Sequence, residues 1–236
     1  MTAATDGFDE LLARSRLLES PQCRAAEYLA SLRELRIWQS ARLTRTYQDF
    51  HADPRYSQAV EFFLTDLYGP QEFTDRNQDL QRAWRRLRRA LPSAAMNVLG
   101  QAVELEVLTL ELDHAMVRAL GAAQVTDALY AAAYRSVDNR AARTRQIDLI
   151  VGIGGDLDRI VSRAWLGALL HAAHLPAHAA GFGELQDFLE RGYAAFRRMR
   201  GAQGLLCAIR ERETLFMQAM LEPAEHPRAG AWERSA

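Results

Sequence analysis

The residues of this chain best suited to chemistry are its histidines and the carboxylates spaced near them. Glu111 and His114 spell Glu-x-x-His in a segment of helical periodicity. Ferritin-like di-iron bundles build their sites from two such motifs and two further glutamates. Here one motif stands alone. Glu104 lies on the same line of the helix but two turns away, roughly 10 Å along the axis, too far to share a metal with Glu111 unless another helix supplies ligands between them. The structural alternative is a pairing of Glu111 with an arginine from a neighbouring helix. A second group, His171, His174 and His178, reads His-x2-His-x3-His and could ligate zinc, copper or iron. Pro176 falls between its second and third members and is expected to break the helix there. The spacing alone therefore does not put the three imidazoles on one face, and the alternative is histidines favoured by the dipole at a helix C-terminus. The metal candidates are thus Glu104, Glu111 and His114, with His171 and His174 beside them.

Other patterns carry less. The run from Leu149 to Asp156, with Gly152, Gly154 and Gly155, has the look of a strand entering a phosphate-binding turn. Such a loop needs parallel strands beside it, and no other segment reads as a strand. Ile147, Ile150, Ile153, Leu157, Ile160, Val161 and Trp165 keep helical phase straight through the glycines, which are read as sites of close helix packing or a local kink. Arg82, Arg85, Arg86, Arg88 and Arg89 make a basic stripe around Trp84, balanced by Asp75 and Asp79, and read as a solvated helix face rather than a nucleic-acid surface. No signature of a serine or cysteine nucleophile occurs.

Composition narrows the field. All 29 basic residues are arginine, so Schiff-base chemistry, a lysine general base and a phosphate-binding lysine are excluded. A net charge of -1 makes the chain as a whole no electrostatic partner for nucleic acid or an anionic membrane. At 236 residues, 49% hydrophobic and 25% charged, one helical domain over residues 1–222 is expected, with a polar, disordered tail over 223–236. The longest uncharged stretch, Ala164 to Gly183, holds His171, His174, His178, Pro176 and three glycines, and reads as a buried helix end and loop rather than a membrane span. The N-terminus has no apolar secretory core. Cys23 and Cys207 sit far apart on apolar patterns, as buried free thiols of a cytoplasmic protein would.

The elements that must position these residues are helices throughout. Ser20-Pro21, Asp53-Pro54 and Pro92-Ser93 read as helix starts, and every proline lies at the edge of a periodic segment. The expected helices run from about Phe8 to Leu18, Pro21 to Phe50, Asp53 to Tyr68 and Thr74 to Leu91. They continue from Ser93 to Leu120, from a Thr126 cap to Val137, from Arg140 to His174, and in two stripes that meet near Gly201. The helix near 93–120 is the expected centre of the bundle: Leu105, Leu108, Leu112 and Met116 occupy one face, and Leu99, Val103, Leu110 and Val117 the opposite one.

The stretch from Phe62 to Pro70, an FFLxDLYG-like segment, with Phe73 and Arg76, resembles an uncharacterised bacterial all-helical family. That family is also marked by stretches like Glu111 to Asp113 and Phe188 to Tyr193. The resemblance spans about residues 54–221 and implies a helical fold with no assigned activity, cofactor or partner. It draws attention to Asp66, a carboxylate among Phe62, Phe63 and Leu67, which should be paired or functional.

The sequence therefore predicts an all-α, single-domain multi-helix bundle without catalysis, cytoplasmic and bacterial. It binds a partner protein or an apolar small molecule, with no nucleic acid, no membrane and no cofactor, and is compatible with a homodimer. The alternative is a metal-dependent bundle, an oxidoreductase using Glu104, Glu111 and His114, with the Asp66 or His171 regions as further contributors.

Overall fold

The computed structural model describes residues 26–67, 93–121 and 124–222, and every regular element among them is helical. In chain order these are α1 (Ala26–Thr46), α2 (Gln48–Ala52), α3 (Ser57–Phe62) with a π-helical turn (Phe63–Leu67), α4 (Ser93–Leu120), α5 (Asp127–Val137), α6 (Arg140–Val161), α7 (Ala164–Ala179), α8 (Gly183–Met199) and α9 (Gln203–Leu221). No helix among the described residues is long and apolar enough to cross a membrane.

The helix punctuation read from the sequence holds at several ends. Helix α4 runs from Ser93 to Leu120 and stops at Gly121, whose left-handed φ of 65° glycine adopts without the Cβ penalty other residues meet there. Thr126 caps α5, its hydroxyl accepting a hydrogen bond from the Leu129 N–H. Between α8 and α9, Arg200 (φ 52°) and Gly201 (φ 117°) are both left-handed.

Five expectations are corrected. The long helix expected to end near Phe50 breaks at Tyr47. The segment after Asp53-Pro54 begins as a turn, with the Tyr56 and Ser57 N–H groups donating to the Asp53 carbonyl, and becomes helical only at Ser57. The helix expected over 140–174 is two, α6 and α7, separated at Ser162 and Arg163. Pro176 lies inside α7 rather than ending it. Cys207 is exposed on α9, not buried. Cys23, Ser20-Pro21, the arginine stripe around Trp84 and the tail lie outside the described residues.

Contacts group the described residues into two compact units interleaved along the chain. The first comprises residues 26–46, 100–121, 124–152 and 207–222. Its core joins Leu35 of α1, Met116 and Val117 of α4, Tyr130 and Tyr134 of α5, and Phe216 and Met220 of α9. Trp38 stacks on Tyr130 with ring centroids 3.8 Å apart, and Arg42 lies over Phe216 while pairing with Glu213 at 2.7 Å. Burying a charge this way is tolerable because its partner comes with it.

The second unit comprises residues 47–67, 93–99 and 153–206. Its aromatic seam sets Phe62 against Phe188 at 5.2 Å and Phe63 against Phe196 at 6.1 Å. Glycines make this packing close. A Cβ at Gly192 would lie 3.0 Å from Phe62, and one at Gly154 would overlap the Leu206 side chain. Gly152, Gly154 and Gly155 are all helical within α6, which rules out a phosphate-binding loop there and fits the packing role read for Gly154.

Candidate metal centre

Helices α7 and α8 form an antiparallel hairpin in the second unit, joined by Ala180, Gly181 and Phe182. The end of α7 is closed by two backbone bonds, Phe182 N–H to the Ala177 carbonyl at 2.8 Å and Gly181 N–H to the His178 carbonyl at 3.1 Å. Gly181 is left-handed, with φ 78°. This is the Schellman pattern, which satisfies orphan carbonyls and reverses the chain abruptly. Pro176 is tolerated because the one bond it forfeits, to the Ala172 carbonyl, falls in the last turn and a half before this cap. An unbroken α7 puts His174 and His178 at i and i+4, on one face, with ring centroids 4.6 Å apart.

Across the hairpin, α8 presents two carboxylates to that face. Asp187 Oδ1 lies 2.9 Å from His178 Nε2, and Glu190 lies 3.0 and 3.1 Å from His174 Nδ1 through its two oxygens. The ligand atoms of His174, His178 and Asp187 all lie within 4.8 Å of one another. Two donors about 2.2 Å from one ion are at most about 4.4 Å apart, so a small side-chain rotation brings the group to coordination distance. Among the described residues, no other histidine, cysteine or carboxylate group of three or more meets that proximity.

Supporting contacts hold the group in place. Gln186, 5% exposed, donates through Nε2 to the Leu170 carbonyl at 2.9 Å and to Glu190 Oε1 at 2.7 Å. That hydrogen bond, with a further one from His174, holds the Glu190 carboxyl below the usual carboxylate range. An ionised Glu190 accepts only, so the proton it faces belongs on His174 Nδ1, and Nε2 keeps the lone pair a metal needs. Gly183 makes room for the second imidazole, since a Cβ there would lie 2.8 Å from His178 Nδ1. The side chains of His174, His178 and Asp187 are 40–43% exposed, leaving solvent access to the group. Two imidazoles and one or two carboxylates suit zinc, iron, nickel or copper, and three protein ligands leave positions open for water or substrate.

A family model for a domain of unknown function, DUF8198, matches residues 19–227. The chain belongs to the DUF8198 family. Searches of curated proteins and of solved structures return no match. Membership in an uncharacterised family agrees with the resemblance read from the sequence.

The other candidates in this DUF8198 chain are placed as follows. Glu104 is gripped by Arg145, Nε to Oε1 at 2.8 Å and Nη2 to Oε2 at 2.9 Å. His114 is buried against Tyr28, with ring centroids 5.2 Å apart. Burial, aided by the nearby Arg118, lowers its pKa from the usual value. Glu111 is half-buried on α4, and the ligand atoms of Glu104, Glu111 and His114 do not form a close group among the described residues. His171 is exposed one turn before His174 and outside the cluster. Asp66 falls in the π-helical turn, and its side chain lies outside the described residues.

Two members of the cluster, Asp187 and Glu190, were not among the sequence candidates. The signal for them is Gly181-Phe182-Gly183: a left-handed glycine ending one helix puts carboxylates at the fifth and eighth positions of the next.

Proposed function

We propose that this DUF8198 protein binds a divalent transition metal at the α7–α8 hairpin. His174, His178 and Asp187 are the ligands, and Glu190 orients His174. The observation that carries this reading is the convergence of three ligand atoms, from two helices, within 4.8 Å. Gly183 and the buried Gln186 support it, because both serve to hold the ligands rather than the core. This is the metal-dependent alternative moved to a different place from Glu104, Glu111 and His114. The sequence ranks a metal lower because it reads Pro176 as a helix break, and an intact α7 removes that objection.

The deciding experiment is calorimetric titration of EDTA-stripped protein with zinc(II), repeated with cobalt(II) to read the coordination spectrum. One ion per chain is expected. His174→Ala, His178→Ala and Asp187→Ala should each abolish or severely weaken binding, and Glu190→Gln should weaken it roughly 10–100-fold. No binding, or binding indifferent to these substitutions, refutes the proposal.

A second reading, protein binding, is favoured by one observation. Trp165, Leu169, Ala172 and Leu175 recur at helical spacing on α7 and are all exposed, Leu175 to 77%. A second copy of the chain is the occupant this reading takes. Sedimentation velocity should then show a dimer that Leu169→Glu dissociates, and a monomer at all concentrations rejects it. Binding of an apolar small molecule has less support, because the aromatics of each unit pack on one another.

A further inference from the structure

The second unit contains a cleft of about 1140 Å³ beside the C-terminal end of α8. Four arginines line it, Arg55, Arg197, Arg198 and Arg200, against one carboxylate, Asp158. Their hydrogen bonds go to neutral oxygens. Arg197 Nη1 donates to the Tyr193 hydroxyl at 2.7 Å, and Arg198 Nε donates to the Pro54 carbonyl at 3.4 Å. Arg55 donates to the carbonyls of Met199, Arg200 and Gly201, capping α8. Among the described residues, none of the four makes an ion pair. The contrast with the first unit is sharp, since Arg36, Arg42, Arg145 and Arg210 each meet a carboxylate there.

A guanidinium offers five N–H donors in a planar fork, and these arginines spend one to three each on the protein, or none in the case of Arg200. Arg200 also occupies a left-handed conformation, φ 52°, where glycine or asparagine is the unstrained choice. Apolar residues share the lining, Val161, Ala194 and Phe196 among them. Tyr193 is fixed there by Gly167, whose missing side chain leaves room for the phenol oxygen. A concave site with a net excess of three guanidiniums and apolar lining residues fits a ligand with a multiply charged anionic head and a small organic body.

We propose that this cleft binds a small organic phosphate, held at its phosphoryl oxygens by Arg197, Arg198 and Arg200. The inference is independent of the metal centre, so its test is run in EDTA. The probe is inorganic pyrophosphate, titrated by calorimetry into the full chain at low ionic strength. Saturable binding is expected, weakened roughly tenfold or more in Arg197→Gln/Arg200→Gln and by less than about twofold in Arg210→Gln, which removes an equal charge from the first unit. Circular dichroism checks that the double variant is folded, and Arg200→Gln alone, at an exposed position outside any helix, should weaken binding in the same direction. Absence of saturable binding, or an equal loss in Arg210→Gln, overturns the proposal. So does tight binding of a single-stranded DNA oligomer that pyrophosphate fails to displace, which would make the cleft part of a nucleic-acid surface.

Discussion

His178 can lie flat against the first turn of α8 only because residue 183 has no side chain: a Cβ at Gly183 would stand 2.8 Å from Nδ1 and 3.0 Å from Cε1 of the imidazole. The ring is thereby pressed toward Asp187, whose Oδ1 its Nε2 meets at 2.9 Å. Gly183→Ala should push the imidazole away from Asp187. Helicity itself should change little, because alanine is the better helix former. The expected result is zinc affinity lowered roughly tenfold or more with an unchanged circular dichroism spectrum. Unchanged affinity would show that His178 is not a ligand.

Asp113 is 3% exposed on α4 and receives Arg36 Nε and Gln39 Nε2, each at 3.2 Å. Truncating it strands two donors, one of them charged and half-buried. Asp113→Ala should cost about 2–4 kcal/mol in urea unfolding, and Asp113→Asn less, because the amide oxygen still accepts.

Neighbouring glycines of α6 should respond in opposite senses to the same change. Gly154→Ala drives a methyl into the buried Leu206 side chain and should destabilise by about 1–3 kcal/mol. Gly155→Ala meets nothing within 4 Å and should stabilise by about 0.5–1 kcal/mol, the usual gain in a helix interior. Equal effects would mean that α6 does not pack on Leu206.

His114 gives the first unit an acid sensitivity. Its imidazole titrates at the ordinary value, 6.5, when unfolded and lower when folded, chiefly because burial disfavours the charged form. Below 6.5 the unfolded chain therefore binds the proton more readily. The contribution of neutral His114 is complete above that pH and is lost as pH falls through it toward the folded value. Urea midpoints at pH 8 and pH 5.5 should differ in that direction, and His114→Gln should reduce the difference. An undiminished difference would assign the effect to other groups.

The helical class and several helix ends were legible because their signals are local: Thr126 names its own cap, Gly121 its own stop. The packing role of Gly154 followed from helical phase carried through the glycines. What was missed depends on context. Pro176 ends a helix by every local rule, yet it lies so near the cap at Gly181 that it forfeits a single bond. The cluster followed the same way, since His174 was visible as a candidate while Asp187 and Glu190 acquire meaning only once the chain is known to reverse between α7 and α8. The glutamates of α4 stood out by heptad spacing, but spacing cannot say that Arg145 takes Glu104.

The tight reversal at Gly181 also makes the proposed metal centre a short-range object. Its hydrogen bonds close loops of 9 and 16 residues, whereas Arg36 reaches Asp113 across 77. By the logarithmic growth of loop entropy, closing the shorter loops costs about 1–2 kcal/mol less. A hairpin this local is expected to be sampled even when the rest of the chain is unfolded, which would give a bound ion some affinity for the denatured ensemble. Metal should then raise the melting temperature by less than its affinity for the native state implies, because ligand bound to both sides of an equilibrium cancels.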